Sequence, residues 1–223
     1  MLVPRYFFTN DFHCFYEYFV SNSHKKKKLE TNEYLWKPGE PFSKIYYIIS
    51  GVGETYVEHE NGYKKILSFH GAGTLFPVYH KQNYKIEQAI ITKAITNMEV
   101  LEFSINEFQS MYKENIELNE KIVDWYSMYV NLLIYETAHQ EYNSTFVKLC
   151  NLLYLLSQNN MEKENCTIQL TQEDIADILA INRVNLSKNL ARLKSEGIIS
   201  THRKWIEIKD IKALKEYCSN ETI

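Results

Sequence analysis

Arg183, Val184, Asn185, Ser187 and Lys188 fall within six residues of one another. A guanidinium can donate two parallel hydrogen bonds to a guanine edge, an amide can pair with adenine, and an ammonium or hydroxyl can meet phosphate. Val184 offers an apolar branch that suits a thymine methyl. Further on, His202-Arg203-Lys204 forms a second basic point. From Arg183 to Lys204 there are six Lys or Arg residues and one acid, Glu196. This is chemistry for docking on nucleic acid, concentrated on a chain whose net charge is −3. A local basic patch on an acidic protein implies a docked surface rather than a general attraction to phosphate.

The elements needed to present these groups are legible around them. Thr171 can cap a helix, with Asp174 three residues on as a capping box wants. Ile175, Ile178 and Leu179 give that helix one apolar stripe, and a break follows at Ala180–Ile181. Asn182 can cap a second helix whose buried face is Leu186, Leu190 and Leu193. Gly197 ends it. Ile198–Ser200 and Trp205–Ile208 then read as two strands around the basic turn. Two short helices, a tight turn and a basic wing make a winged helix-turn-helix, with the second helix entering the major groove. Thr171 and Gln172, with His202, Arg203 and Lys204, are expected on phosphate.

Other chemistry finds little support. There is no glycine-rich phosphate loop, nucleophile elbow or metal motif, so no enzyme and no cofactor is expected. The four cysteines, Cys14, Cys150, Cys166 and Cys218, lack the spacing of a zinc or iron–sulfur site. A redox switch between Cys14 and Cys218 is a conceivable alternative to unpaired thiols. No apolar run is long enough to span a bilayer and no secretory signal opens the chain, so a cytoplasmic protein is expected.

The 223 residues suit two domains. From Tyr34 to Phe103 short apolar stretches alternate with glycines. Ile45–Ile49, Thr55–Val57, Lys65–Phe69, Ala89–Ile95 and Val100–Phe103 are predicted strands, and Asn61-Gly62 is a hairpin turn. That grammar predicts a sandwich or barrel of the jelly-roll kind. Lys25–Lys28 reads as a solvated turn. Glu117–His139 then shows two apolar stripes at helical spacing: Ile122, Trp125, Tyr129 and Leu132, and Val123, Tyr126, Val130 and Leu133. Two stripes call for two burial partners. The first is assigned to a parallel seam with the same helix of a second copy. Tyr142-Asn143-Ser144 reads as a hinge, Ser144 as the cap of a further helix, and Gln158–Asn165 as a polar loop. The expected class is α+β: residues 1–116 an effector-sensing jelly roll, 117–142 a dimerisation helix and hinge, and 143–223 a winged-helix DNA-binding domain.

A jelly roll, a long helix and a C-terminal winged helix, in that order, resemble the Crp/Fnr superfamily of bacterial transcription regulators. Pro38-Gly39-Glu40, Ile45 to Gly51 and Lys65-Ile66-Leu67-Ser68 are similar to that family's cyclic-nucleotide-binding roll, and Leu170–Ser200 follows its helix-turn-helix. The resemblance implies a homodimer that binds an inverted repeat of double-stranded DNA, works with RNA polymerase and is switched by a small effector. The departures matter too. The family's Gly-Glu ribose pair falls on Pro77 and Val78, and its Arg-Ser phosphate pair near Gln88-Ala89. Pro lacks an N–H and Val a carboxylate, so cyclic AMP is a poor fit. The positions that would meet the base fall near Leu133-Ile134 and are apolar. A lone N-terminal Cys14 argues against the iron–sulfur branch. His70 and His80 have no evident partner for haem. The rearranged pocket looks closer to the halophenol-sensing and listerial virulence regulators. The expected effector lining is Leu75, Phe76, Tyr79, Tyr129 and Leu133. The alternative is that the same residues are packed core in a constitutive DNA-binding protein whose roll only dimerises. The reading helix departs from Arg-Glu-x-x-x-Arg, with Val184 for the acid and Lys188 for the second Arg, so A/T-rich half-sites are expected.

Overall fold

A computed structural model of the chain describes residues 3–37, 39–40, 42–77, 84–158 and 166–223. The expected positions Pro38, Val78, Tyr79 and His80, and most of the polar loop 158–165, lie outside the described residues. The chain forms two compact units, Tyr6–Val130 and one built around Asn131–Ile223.

The first unit is a roll of two sheets. Its strands are β1 (Phe7–Phe8), β2 (Lys25–Leu29), β3 (Tyr34–Trp36), β4 (Lys44–Ser50), β5 (Gly53–Glu58), β6 (Lys64–His70), β7 (Leu75–Phe76), β8 (Ile90–Ala94) and β9 (Met98–Ser104). One sheet has the order β1-β6-β5-β8-β3 and the other β2-β9-β4-β7. The β5–β6 hairpin turns where Asn61-Gly62 was expected to turn it. Gly62 supplies the positive φ of +78°, and the Gly62 N–H donates to the His59 carbonyl at 2.8 Å. β4 lies inside its sheet, and Ile45, Tyr46, Tyr47 and Ile48 are all buried. That explains its continuous apolar run.

Lys25–Lys28 is not a turn. It forms most of β2, an edge strand paired antiparallel with β9. Lys26 and Lys28 share Glu99 at 3.5 and 3.1 Å. Lysines on an edge strand keep other strands from pairing with it. Composition alone points to solvent here, and solvent is where one side of an edge strand lies.

Helices close the roll. α1 (Tyr16–Ser21) sets Phe19 against Tyr47 and Phe103, with ring centroids 5.0 and 5.9 Å apart. α2 (Ile105–Glu114) begins at a capping box formed by Ser104 and Glu107. α3 (Ile116–Tyr142) runs from this unit into the next as one helix of 27 residues. On it, Trp125 stacks on Tyr129 at 5.1 Å and 12°. Phe8 lies 5.3 Å from the first ring and 5.6 Å from the second.

The second unit contains α4 (Thr145–Gln158), β10 (Cys166–Ile168), α5 (Gln172–Leu179), α6 (Arg183–Ser195), β11 (Ile199–Thr201), β12 (Ile206–Ile208) and α7 (Ile211–Lys215). The strands form one antiparallel sheet, β10-β12-β11. Ser144 caps α4 through the Val147 N–H at 3.3 Å. Ile175, Ile178 and Leu179 of α5, and Leu186, Leu190 and Leu193 of α6, are buried as their spacing predicts. Among the described residues, no helix is long and apolar enough to cross a membrane.

His70 sets a condition on the roll. It is fully buried, its Nε2 lies 2.9 Å from the Ser68 hydroxyl, and burial lowers its pKa from 6.5 to about 3. The fold therefore requires the neutral ring. The stability this confers is complete above pH 6.5 and is lost as pH falls toward the folded value. We predict that the urea midpoint of unfolding drops between about pH 7 and about pH 4.5, and that His70→Phe flattens this dependence. An equal pH slope in both proteins would show that other groups control it.

Candidate nucleic-acid interface and ligand cavity

The reading helix α6 is built by two caps. Thr171 accepts from the Asp174 N–H, and Asp174 accepts from the Thr171 N–H at 2.8 Å, which starts α5. Ala180 takes a left-handed conformation, φ 51°, and turns the chain. Asn182 then accepts from the Asn185 N–H at 2.8 Å and starts α6. With its leucines inward, α6 presents Arg183, Val184, Ser187 and Lys188 to solvent, and Val184 is 63% exposed despite its apolar side chain. Asn185 is half-buried.

The wing tip is tied by a ring contact and a backbone hydrogen bond. The His202 ring stacks on Trp205 at 3.5 Å and 13°, and the His202 backbone N–H donates to the Trp205 carbonyl at 2.9 Å. This braces the tip that carries exposed Arg203 and Lys204. Gln172, Arg183, His202 and Arg203 line one notch of about 370 Å³. The structure thus gathers the start of α5, the start of α6 and the wing on one surface.

Three details refine the expected contacts. The Thr171 hydroxyl also donates to Asp174 Oδ2 at 2.7 Å, so it is spent inside its own cap rather than free for phosphate. Arg192 is held by Glu196 and lies 3.9 Å from the Phe146 ring, which makes it a packing cation. Glu173 forms an ion pair with Arg183. Nothing in the one-dimensional spacing marked that pair, because the two residues sit on different helices.

In the roll, a cavity of about 420 Å³ lies against α3. Six aromatic rings line it: Phe42, Phe76, Tyr84, Trp125, Tyr126 and Tyr129. Thr55 and the carboxylate-bearing Glu87 complete the polar part, and no Lys, Arg or His lines it among the described residues. The Tyr129 hydroxyl lies 3.2 Å from the Ser68 hydroxyl, which leads on to His70. An anionic ligand would find no cation here among those residues and would meet Glu87, at a cost of several kcal/mol if buried (about 3 or more).

Of the expected effector residues, Phe76 and Tyr129 line this cavity. Leu75 is fully buried and Leu133 is 40% exposed, and neither lines it. Tyr79 lies outside the described residues. The expected dimer stripe also needs correction. Ile122, Trp125 and Leu132 are buried within the chain itself, and Tyr129 faces the cavity. They are not available as a seam. The exposed apolar residues of α3 are Ile116, Val123, Val130, Leu133, Ile134 and Tyr142. The first three recur every seven residues.

The thiols give little to a redox reading. Burial pushes Cys218 up to about 12, far from a reactive thiolate. Cys150 is buried and Cys14 exposed.

A strand roll with a ligand-sized cavity, followed by a winged helix-turn-helix, defines a transcription regulator with a sensing domain. Comparison with known proteins agrees. Residues 26–115 match the cyclic nucleotide-binding domain family and residues 147–217 the Crp-like helix-turn-helix domain family. The chain belongs to the Crp/Fnr superfamily of DNA-binding transcription regulators. It is 26% identical over 198 residues to an anaerobic regulatory protein of Pasteurella multocida, covering 86% of this chain and 71% of that one. It is 25% identical over 199 residues to the cAMP-activated global transcriptional regulator of Salmonella typhimurium, covering 86% and 92%. Among solved structures, CprK complexed with OCPA is similar at a TM-score of 0.75 and 18% identity, covering 97% and 99% of the two chains. FixK2 of Bradyrhizobium japonicum is similar at 0.75 and 14% identity, covering 88% and 98%.

The two kinds of contact make different predictions. Lys204→Ala should weaken binding to all duplexes about equally and reduce the salt slope by roughly one unit. Val184→Glu should instead shift preference toward G·C at one position, by roughly 1–3 kcal/mol. Binding-site selection with the three proteins separates these. An unchanged motif for Val184→Glu would mean that this position does not read bases.

Proposed function

We propose that this protein is a homodimeric regulator that reads an inverted repeat with A/T-rich half-sites and is switched by a small ligand in the roll. The observation that carries the reading is the pairing of the exposed basic face of α6 with an aromatic cavity that touches α3. Two symmetric reading helices would meet half-sites about one helical turn apart, on the order of 34 Å. The base contacts fall to Arg183, Val184 and Asn185, and the phosphate contacts to Gln172, Ser187, Lys188, His202, Arg203 and Lys204. RNA polymerase is the partner such a regulator would address, in the cytoplasm, with no catalytic step of its own.

The dimer seam belongs on the exposed stripe, Val123, Val130 and Leu133 with Ile116 at its start. The spacing of a left-handed pairing of helices supports it. Tyr126 is half-buried beside this stripe and also lines the cavity. A ligand that moves its ring would therefore press on the seam.

The ligand should be small and largely apolar, since the described lining is aromatic with a carboxylate rather than a cation. Cyclic AMP should not bind in calorimetry, and micromolar binding would contradict the pocket assignment. Val130→Glu places a charge in the seam and should give monomers with lost DNA binding, seen by sedimentation and anisotropy. A Val130→Glu protein that stays dimeric would move the seam elsewhere. The competing reading, a roll that only dimerises, predicts that no small molecule raises the melting temperature of the wild type.

A further inference from the structure

The notch below the reading helix holds a carboxylate where a phosphate-docking surface has no use for one. Glu173 stands in the first turn of α5 and accepts from Nη2 of Arg183. Both side chains are open to solvent, at 63% and 69% exposure. Its neighbour Asp174 is occupied by the Thr171 cap. The start of a helix normally favours a phosphate through its unpaired N–H groups and its dipole. Here the first turn of α5 carries two carboxylates instead.

An isolated surface ion pair contributes little to stability. Its placement is what matters. Arg183 is the first residue of α6 and shares the notch with Gln172, His202 and Arg203. A free arginine at that point must lose side-chain freedom when it meets a base. One tethered through a single nitrogen has less to lose and keeps its other N–H donors for a guanine edge. The carboxylate also repels the phosphate backbone in every DNA complex. Glu173 also competes with backbone phosphates for Arg183, so on a wrong site the arginine gains less from a phosphate contact, while on the right site it keeps its base contact, and that difference discriminates.

We infer that Glu173 is a specificity-determining residue: it positions Arg183 for one base pair and disfavours DNA on which that base pair is wrong. The inference rests on the reading that Arg183 meets a base edge.

The test uses the full chain and fluorescence anisotropy on the duplex selected by the wild type, its single-base-pair variants and a random-sequence duplex. Glu173→Gln preserves size and removes charge. It should tighten binding to the random duplex and steepen its salt slope by roughly one unit. Discrimination at the base pair read by Arg183 should fall roughly 3- to 10-fold. Its melting temperature should match the wild type, because Thr171 and Asp174 keep the cap. Arg183→Ala should abolish discrimination at that same base pair, and the double variant should look like Arg183→Ala alone. If Arg183→Ala weakens every duplex equally, the base-reading role fails and takes this inference with it. If Arg183→Ala loses discrimination but Glu173→Gln keeps it within about twofold, only the role of Glu173 is overturned. Equal weakening of all duplexes by Glu173→Gln would also overturn it, and would mark a purely structural residue.

Discussion

One face of α3 is already taken. Trp125 and Tyr129 stack on each other and pack at a tilt against Phe8, with His70 6.2 Å from the Trp125 ring. This aromatic cluster holds the long helix to its own roll. It also removes one of the two apolar stripes from any role between subunits. What is left exposed on α3 includes Ile116, Val123, Val130, Leu133 and Ile134. Trp125 and Tyr129 also form part of the cavity wall, so the cavity and the packing of the helix share side chains. A ligand acting there needs no long pathway of coupled residues. It needs only to bind better to one arrangement of the cluster than to another.

The described lining of the cavity limits the ligands it can hold. Gln88 lies in a 3-10 turn and its carbonyl accepts from the Gly39 N–H at 2.9 Å. Pro77 lines the cavity and offers no N–H. A buried cyclic phosphate needs a cation and hydrogen-bond donors. In this chain the described walls offer rings, a threonine and a glutamate.

At the other end, the DNA-reading surface is organised by caps more than by contacts. Thr171 fixes where α5 begins, and Ala180 and Asn182 fix where it ends and α6 begins, so that three leucines go inward and the basic face goes outward. The stacked His202 and Trp205 do the same for the wing. The charges themselves are free to be chosen, within this frame, for the base pairs they meet.

Much of this was legible in the residues alone. The Thr171–Asp174 capping box, the break at Ala180–Ile181 and the leucine spacing act over three or four residues, so they place the winged helix without any tertiary information. The glycine-punctuated strands and Asn61-Gly62 mark the roll in the same local way. What periodicity cannot tell is which partner a stripe meets. Two stripes on α3 are equivalent by spacing, and only the packing of Trp125 against Phe8 assigns one to the roll. Leu75 and Phe76 are neighbours in sequence, yet strand alternation sends one into the core and the other to the cavity. Lys25–Lys28 reads as solvent because lysine does, while its pairing with β9 depends on a strand more than 70 residues away. Glu173 and Arg183 join across a turn between two helices. Local physics determined the elements and their exposed chemistry; the choice of partner for each face belongs to contacts distant in sequence, which only the tertiary structure decides.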